Sequence, residues 1–162
     1  MLNRFLESLT RFQAKRVTPE LRLATLLKQA HAIEIGAYHA YAGHWRSLPK
    51  RSKERQKVHE IQIEELKHRQ SIAEMLKAID ARPSWVLDWT FWIIGKSISF
   101  ACGFMHRKLA MYGAQVMERV GDLCYGRIAK EARTNGLTFM ASKLETMQRA
   151  EQAHEEYFRS QV

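Results

Sequence analysis

Apolar side chains return every three to four positions through four long stretches of the chain. Residues 20–45 put Leu23, Leu27, Ala30, Ala37 and Tyr41 on one stripe, behind a Thr18-Pro19 start signal. Residues 53–80 carry Val58, Ile61, Ile72, Met75 and Ile79 in phase and end at Arg82-Pro83. A third stretch, 106–132, aligns Met111, Ala114, Gly121, Tyr125 and Ile128. Asn135-Gly136 breaks the chain, and 138–160 aligns Met140, Leu144, Met147 and Phe158. Alternation at period two is sustained nowhere, so the pattern predicts an all-α fold without a sheet. A link of roughly ten residues around Pro49 and a shorter turn at 135–137 predict two antiparallel pairs, with a long segment, 84–105, between them. Two hairpins joined by one long crossover is the connectivity of a ferritin-like four-helix bundle.

Two segments lie outside the four stripes. SWVLDWTFWIIGKSISFACGFM, 84–105, is the most apolar run, long enough to approach a bilayer span but interrupted by Asp88 and Lys96. Trp85, Trp89 and Trp92 recur there at helical spacing, and indoles favour the membrane–water boundary. The segment reads as a crossover helix lying in a membrane surface or walling an apolar site; a buried helix or an oligomer contact fits the same pattern. Residues 1–16 place Leu2, Phe5, Leu6, Leu9 and Phe12 against Arg4, Arg11, Lys15 and Arg16. This is a basic amphipathic segment that binds anionic lipid or caps a bundle over 17–162.

Composition narrows the classes. The 162 residues suffice for one domain, and 8 Gly with 3 Pro argue against disorder. Cys102 and Cys124 form no CxxC pair, which excludes a disulfide scaffold and fits a reducing compartment. The N-terminus lacks the uninterrupted apolar core of a secretory signal. A net charge of +9 favours an anionic partner. The charge is spread along the chain and the tryptophans are not interleaved with basic residues, so a membrane surface is expected rather than nucleic acid.

The stripes are interrupted in a regular way. Glu34, Glu65, Glu118 and Glu151 each occupy a position where a core residue belongs, and His68 and His154 follow the second and fourth of them three residues later. Four carboxylates in one dry core are untenable alone, since each buried unpaired charge costs several kcal/mol. Two divalent cations balance them, and the inventory (one Glu from each of two helices, Glu-x-x-His from each of the others) is that of a dimetal carboxylate site. Oxygen and nitrogen donors without thiolate suit two iron ions; manganese is possible and zinc could occupy them. With 14 Glu and 7 His, roughly 0.6 Glu-x-x-His matches are expected by chance. The chain has two, and Glu34 to Glu118 and Glu65 to Glu151 are 84 and 86 residues apart, so the halves repeat.

Other groups read more blandly. Glu60 and Glu64 sit off the stripe and read as solvated; His31, His39, His44, His59 and His106 read as surface or edge residues. Asp122, one turn after Glu118, is placed to orient a ligand histidine or to form an exposed salt bridge. Tyr125, two turns after Glu118, either lines a substrate pocket or packs in the core.

At these residues the chain resembles the demethoxyubiquinone hydroxylase family, the membrane-associated di-iron enzymes of ubiquinone biosynthesis. Glu34-Ile-Gly-Ala-Tyr-His-Ala-Tyr-Ala-Gly is similar to its first metal helix, and Glu65-Leu-Lys-His68 to its first Glu-x-x-His. Ala110-Met111 leading to Glu118 is similar to its third-helix approach, and Arg149-Ala-Glu151-Gln-Ala-His154 to its closing motif. The similarity covers about residues 20–158 and all six metal positions. Two departures stand out. The family's His-Tyr pair after the third-helix Glu is here Cys124-Tyr125, and the chain ends at Val162, where the family continues into a further helix.

The resemblance implies a di-iron monooxygenase that uses O2 and an electron donor, a reductase or the reduced substrate, to hydroxylate a quinone or similar amphiphile. The enzyme would be cytoplasmic, held peripherally at the inner face of the membrane, and homo-oligomeric. Two rivals keep the bundle: a ferroxidase or peroxide-handling protein, and a non-catalytic accessory protein of a quinone-making complex.

Overall fold

The computed structural model describes residues 18–162, so the amphipathic segment expected at 1–16 lies outside the described residues. Five helices follow: α1 Pro19–Ser47, α2 Lys53–Ala78, α3 Trp85–Ala101, α4 Arg107–Thr134 and α5 Thr138–Arg159. The fold is all-α, as the stripes predict.

Local chemistry sets the boundaries. Thr18 accepts a hydrogen bond from the Leu21 amide ahead of the proline that opens α1, and Ser52 and Ser84 cap α2 and α3 in the same manner. Gly136, with φ 74°, takes the left-handed conformation that ends α4. The link between α1 and α2 is residues 48–52, shorter than the spacing around Pro49 suggests, because α1 runs on to Ser47.

The buried residues form two apolar cores with a polar layer between them. One gathers Leu23 and Leu27 of α1, Ile72 and Leu76 of α2, Ile128 of α4 and Leu144 of α5. The other gathers Tyr41, Val58, Ile61, Met111 and Phe158. Helices α1 and α5 run from the first core to the second, and α2 and α4 run back, so α1/α2 and α4/α5 are antiparallel pairs. Residues 79–106, with α3 among them, connect the first-core end of α2 to the second-core end of α4.

Helix α1 has α2, α3 and α4 as neighbours, and α4 pairs with α5. Among the described residues the backbone of α3 approaches α1 alone. That approach is close because glycines meet: Gly36 and Gly43 of α1 face Phe91 and Ser99 of α3, and Gly95 faces Gly36. Consequently α1 is covered on two sides; Asp88 of α3 meets His31 and His44 stacks on Tyr41 and Phe158 of the second core, which overturns the reading of these two histidines as surface or edge residues. Both are buried, at 4% and 3% exposure. His39 is half-buried, and His59 and His106 are exposed.

Candidate metal centre

Between the two cores, every helix of the bundle turns a polar side chain inward. Glu34, Glu65, Glu118, Glu151, His68 and His154 are all buried. Their donor atoms fall into two groups, Glu34–Glu65–His68–Glu151 and Glu65–Glu118–Glu151–His154, each with all its atoms within 4.8 Å of one another. Glu65 and Glu151 belong to both. The arrangement is thus two overlapping ligand sets, each with one private carboxylate, one private imidazole and two shared carboxylates.

Electrostatics shows what the layer lacks. Burial, reinforced by the neighbouring Glu65, pushes the Glu34 carboxyl well above its usual range. Burial and the facing carboxylates raise Glu65 and push Glu151 well above its usual range. Burial lowers His68. Burial also opposes charge on His154, but its hydrogen bond to Glu118 and the nearby Glu65 carboxylate outweigh this and hold it up at about 10. Glu65 Oε1, Glu151 Oε1 and His68 Nδ1 are buried without a hydrogen-bond partner. His68 Nδ1 lies only 3.0 Å from Glu151 Oε1. Two carboxylate oxygens buried without a partner, with an imidazole nitrogen in the same cluster, suit a cation among them. A Cβ at Gly121 would also collide with the Glu151 carboxylate, its Cδ standing 2.9 Å away, so the residue facing Glu151 has to be small. The donor set fits two divalent cations.

Two tyrosines hold the private carboxylates in a crossed pattern. Tyr41, seven residues after Glu34 on α1, donates its hydroxyl to Glu118 on α4. Tyr125, seven residues after Glu118, donates to Glu34. Both phenols are buried, and burial beside carboxylates raises them, so they remain protonated donors. Tyr125 packs toward the first core; it is Tyr41 that borders the cavity described below.

Asp122 does not orient a histidine. Its Oδ1 accepts from Gln148 and Gln152 of α5, at 2.8 and 2.9 Å, because its position on α4 faces the outer edge of α5. The carboxylate that does reach a ligand histidine is Glu64, which is not simply solvated: its Oε2 stands 2.6 Å from His154 Nε2. Asp88 was also missed. Turned inward from the apolar helix, it meets Arg69 at 2.8 Å and His31 Nδ1 at 3.0 Å. A lone acid in an otherwise apolar run was the available signal. Cys124 stands where the resemblance expects a histidine, and burial, with Glu34 nearby, pushes its thiol up to about 11.

A cavity of about 310 Å3 leads to the polar layer. Its walls are Phe91, Ile94 and Ile98 of α3 and Val116, Met117 and Val120 of α4, with Glu34, Glu65, Glu118 and Glu151 lining it too. Ile94, Val116 and Val120 are exposed while the four carboxylates are buried, so the cavity runs from the surface inward. Large apolar side chains are also exposed elsewhere on α3, α4 and the link between them. Trp85, Trp89 and Trp92 are 78%, 63% and 40% exposed, and Phe100, Phe104, Leu109 and Leu123 are exposed too. Among the described residues no helix is long and apolar enough to cross a membrane.

The family profile described as ubiquinone biosynthesis protein COQ7 matches residues 22–160. The chain belongs to the COQ7 family. The match takes in α1 from residue 22 onward, the other four helices and all six inward Glu and His residues, which agrees with the resemblance to demethoxyubiquinone hydroxylases. COQ7 membership places the chain with the proteins of ubiquinone biosynthesis. A comparison with the curated proteins finds no match.

Proposed function

We propose that the protein is a di-iron monooxygenase that hydroxylates a quinone or similar amphiphile at a membrane surface. The observation that carries this reading is the pair of ligand sets sharing Glu65 and Glu151. Glu34 and His68 would complete one iron position, and Glu118 and His154 the other. When bound, the two ions supply reduction of O2 with two electrons from a donor, one oxygen entering a substrate C–H bond and the other leaving as water.

The chain's own residues prepare that chemistry. Tyr41 and Tyr125 keep their protons and donate them in hydrogen bonds to Oε1 of Glu118 and of Glu34, which fixes both private carboxylates before a cation arrives. The two apolar cores exclude water on either side of the layer. The cavity between α3 and α4 admits an apolar ring from the exposed aromatic face and brings it beside the carboxylates. That cavity favours an organic substrate over ferroxidase chemistry, which needs only a path for ions.

Anaerobic titration with Fe(II), followed by O2 in the presence of a short-chain reduced quinone and detergent micelles, tests the reading. Two irons per chain and a hydroxylated quinone are expected. Protein that takes up no iron, or consumes O2 equally well without the quinone, refutes it.

A further inference from the structure

The two ligand sets are near copies, related by the internal repeat, yet they differ behind their histidines. Both imidazoles turn Nδ1 toward the carboxylates. His154 Nδ1 is 3.2 Å from Glu118 Oε2 and 3.5 Å from Glu65 Oε1; His68 Nδ1 is 3.0 Å from Glu151 Oε1. The outward nitrogen of His154 meets Glu64 at 2.6 Å. Among the described residues no carboxylate stands behind His68 in the same way. The reason is visible in the repeat. Glu64 immediately precedes the Glu of the first Glu-x-x-His, and the residue at the corresponding place in the second is Ala150.

We infer that Glu64 is a positioning residue that makes the two cation positions unequal, the Glu118–His154 position binding first and more tightly. A metal-binding imidazole must offer a lone pair on one nitrogen, and its proton then sits on the other. At His154 that other nitrogen is Nε2, and a carboxylate at 2.6 Å holds both the proton and the ring plane. Such a partner also makes Nδ1 a better donor. His68 has no such partner behind its ring among the described residues; Tyr125 packs against it edge-on at 5.8 Å between centroids. Glu64 is itself 39% exposed along its side chain, so its replacement leaves both apolar cores intact.

The inference rests on the dimetal reading, and the two can fail separately. The test is calorimetric titration of the chelator-treated full chain with Co(II), comparing wild type, Glu64→Ala, Glu64→Gln and Ala150→Glu. Wild type is expected to bind two ions in two resolved steps. Glu64→Ala should weaken the tighter step by about 10–100-fold, the usual effect of losing such a partner, and merge it with the weaker step. Glu64→Gln, which retains an acceptor oxygen, should fall between. Ala150→Glu should tighten the weaker step instead. Should Glu64→Ala fail to fold, Glu64→Gln still carries the comparison. Wild type binding no Co(II) overturns the dimetal reading and this inference with it. Wild type binding two ions, with Glu64→Ala and Glu64→Gln indistinguishable from it, overturns the inference alone.

Discussion

The close approach of α3 to α1 can be tested by adding a single carbon. A Cβ at Gly95 would lie 2.9 Å from Gly36 Cα and 3.0 Å from its carbonyl carbon, and nearer still to the carbonyl oxygen. Carbon atoms pack at about 3.5–4.0 Å, and backbone on both sides cannot rotate away, so the helices must part by roughly 1 Å. Overpacking of this kind costs about 1–3 kcal/mol. Alanine also gains about 1 kcal/mol over glycine in a helix interior, so Gly95→Ala alone would understate the clash. Gly113, on α4 with nothing within 4 Å of an added Cβ, is the control: Gly113→Ala receives the helix gain without the contact. The difference between the two variants is therefore the overpacking term. At about 2–4 °C per kcal/mol for a chain of this length, Gly95→Ala should melt about 2–12 °C below Gly113→Ala. Thermal unfolding by circular dichroism, on chelator-treated protein, measures it. Gly95→Ala melting at or above Gly113→Ala would mean that α3 does not seat on α1 through these glycines.

Three further predictions concern the polar layer and its surroundings. Glu151→Gln should abolish Co(II) binding at both positions because Glu151 serves both ligand sets. It should also raise the melting temperature of the chelated protein by a few degrees near neutral pH, since a glutamine spares the cost of keeping the raised Glu151 carboxyl protonated, on the order of 1 kcal/mol; Glu34→Gln, which touches one set, should leave one ion bound. Between pH 7 and 9 the chelated protein should lose stability. The raised Glu34, Glu65 and Glu151 carboxyls give stability that is complete below about 4.5 and lost as pH climbs through their folded values, and His154 loses its share between about 6.5 and about 10. A melting temperature that rises steadily across that window would contradict the assignment. Asp88→Asn should cost about 1–3 kcal/mol by leaving Arg69 and His31 short of a charged partner, and amide exchange in α3 should quicken; unchanged exchange would show that another contact holds α3.

What could be read from the chain alone follows from how each residue is constrained. The six inward Glu and His residues were legible because a cation site built on a helix bundle forces acids onto core positions at fixed spacing, and no ordinary core does that. Helix boundaries were legible at Thr18 and Gly136, where caps and breakers act within a few residues. Glu64 was not, since it sits off the stripe and its partner His154 is 90 residues away. Asp122 satisfied the same sequence logic as a histidine partner, but helix packing delivered two glutamine amides to it instead. His31 was misread because the periodicity of α1 reports only the face turned to the bundle, while Asp88 of α3 meets it from the other cover; His44 was misread because its stacking on Phe158, far along the chain, leaves no mark in the local pattern.

That second cover over α1 ties the apolar surface to the polar layer. Asp88, the inward acid of α3, is held by Arg69, which directly follows His68 on α2, and by His31, one helical turn before Glu34 on α1. A ring entering between α3 and α4 would therefore press on a wall whose anchors adjoin one private carboxylate and one private imidazole of the same ligand set. The other set meets the cavity directly, through Glu118 beside Val116, Met117 and Val120 of its wall, and its histidine is joined by Glu64. Both candidate cation positions therefore border the cavity, one through the anchors of α3 and the other through the α4 wall itself. On the proposed reading, an amphiphile seated in the cavity would bear on both positions, by way of Asp88 and its anchors at the first and of Glu118 at the second.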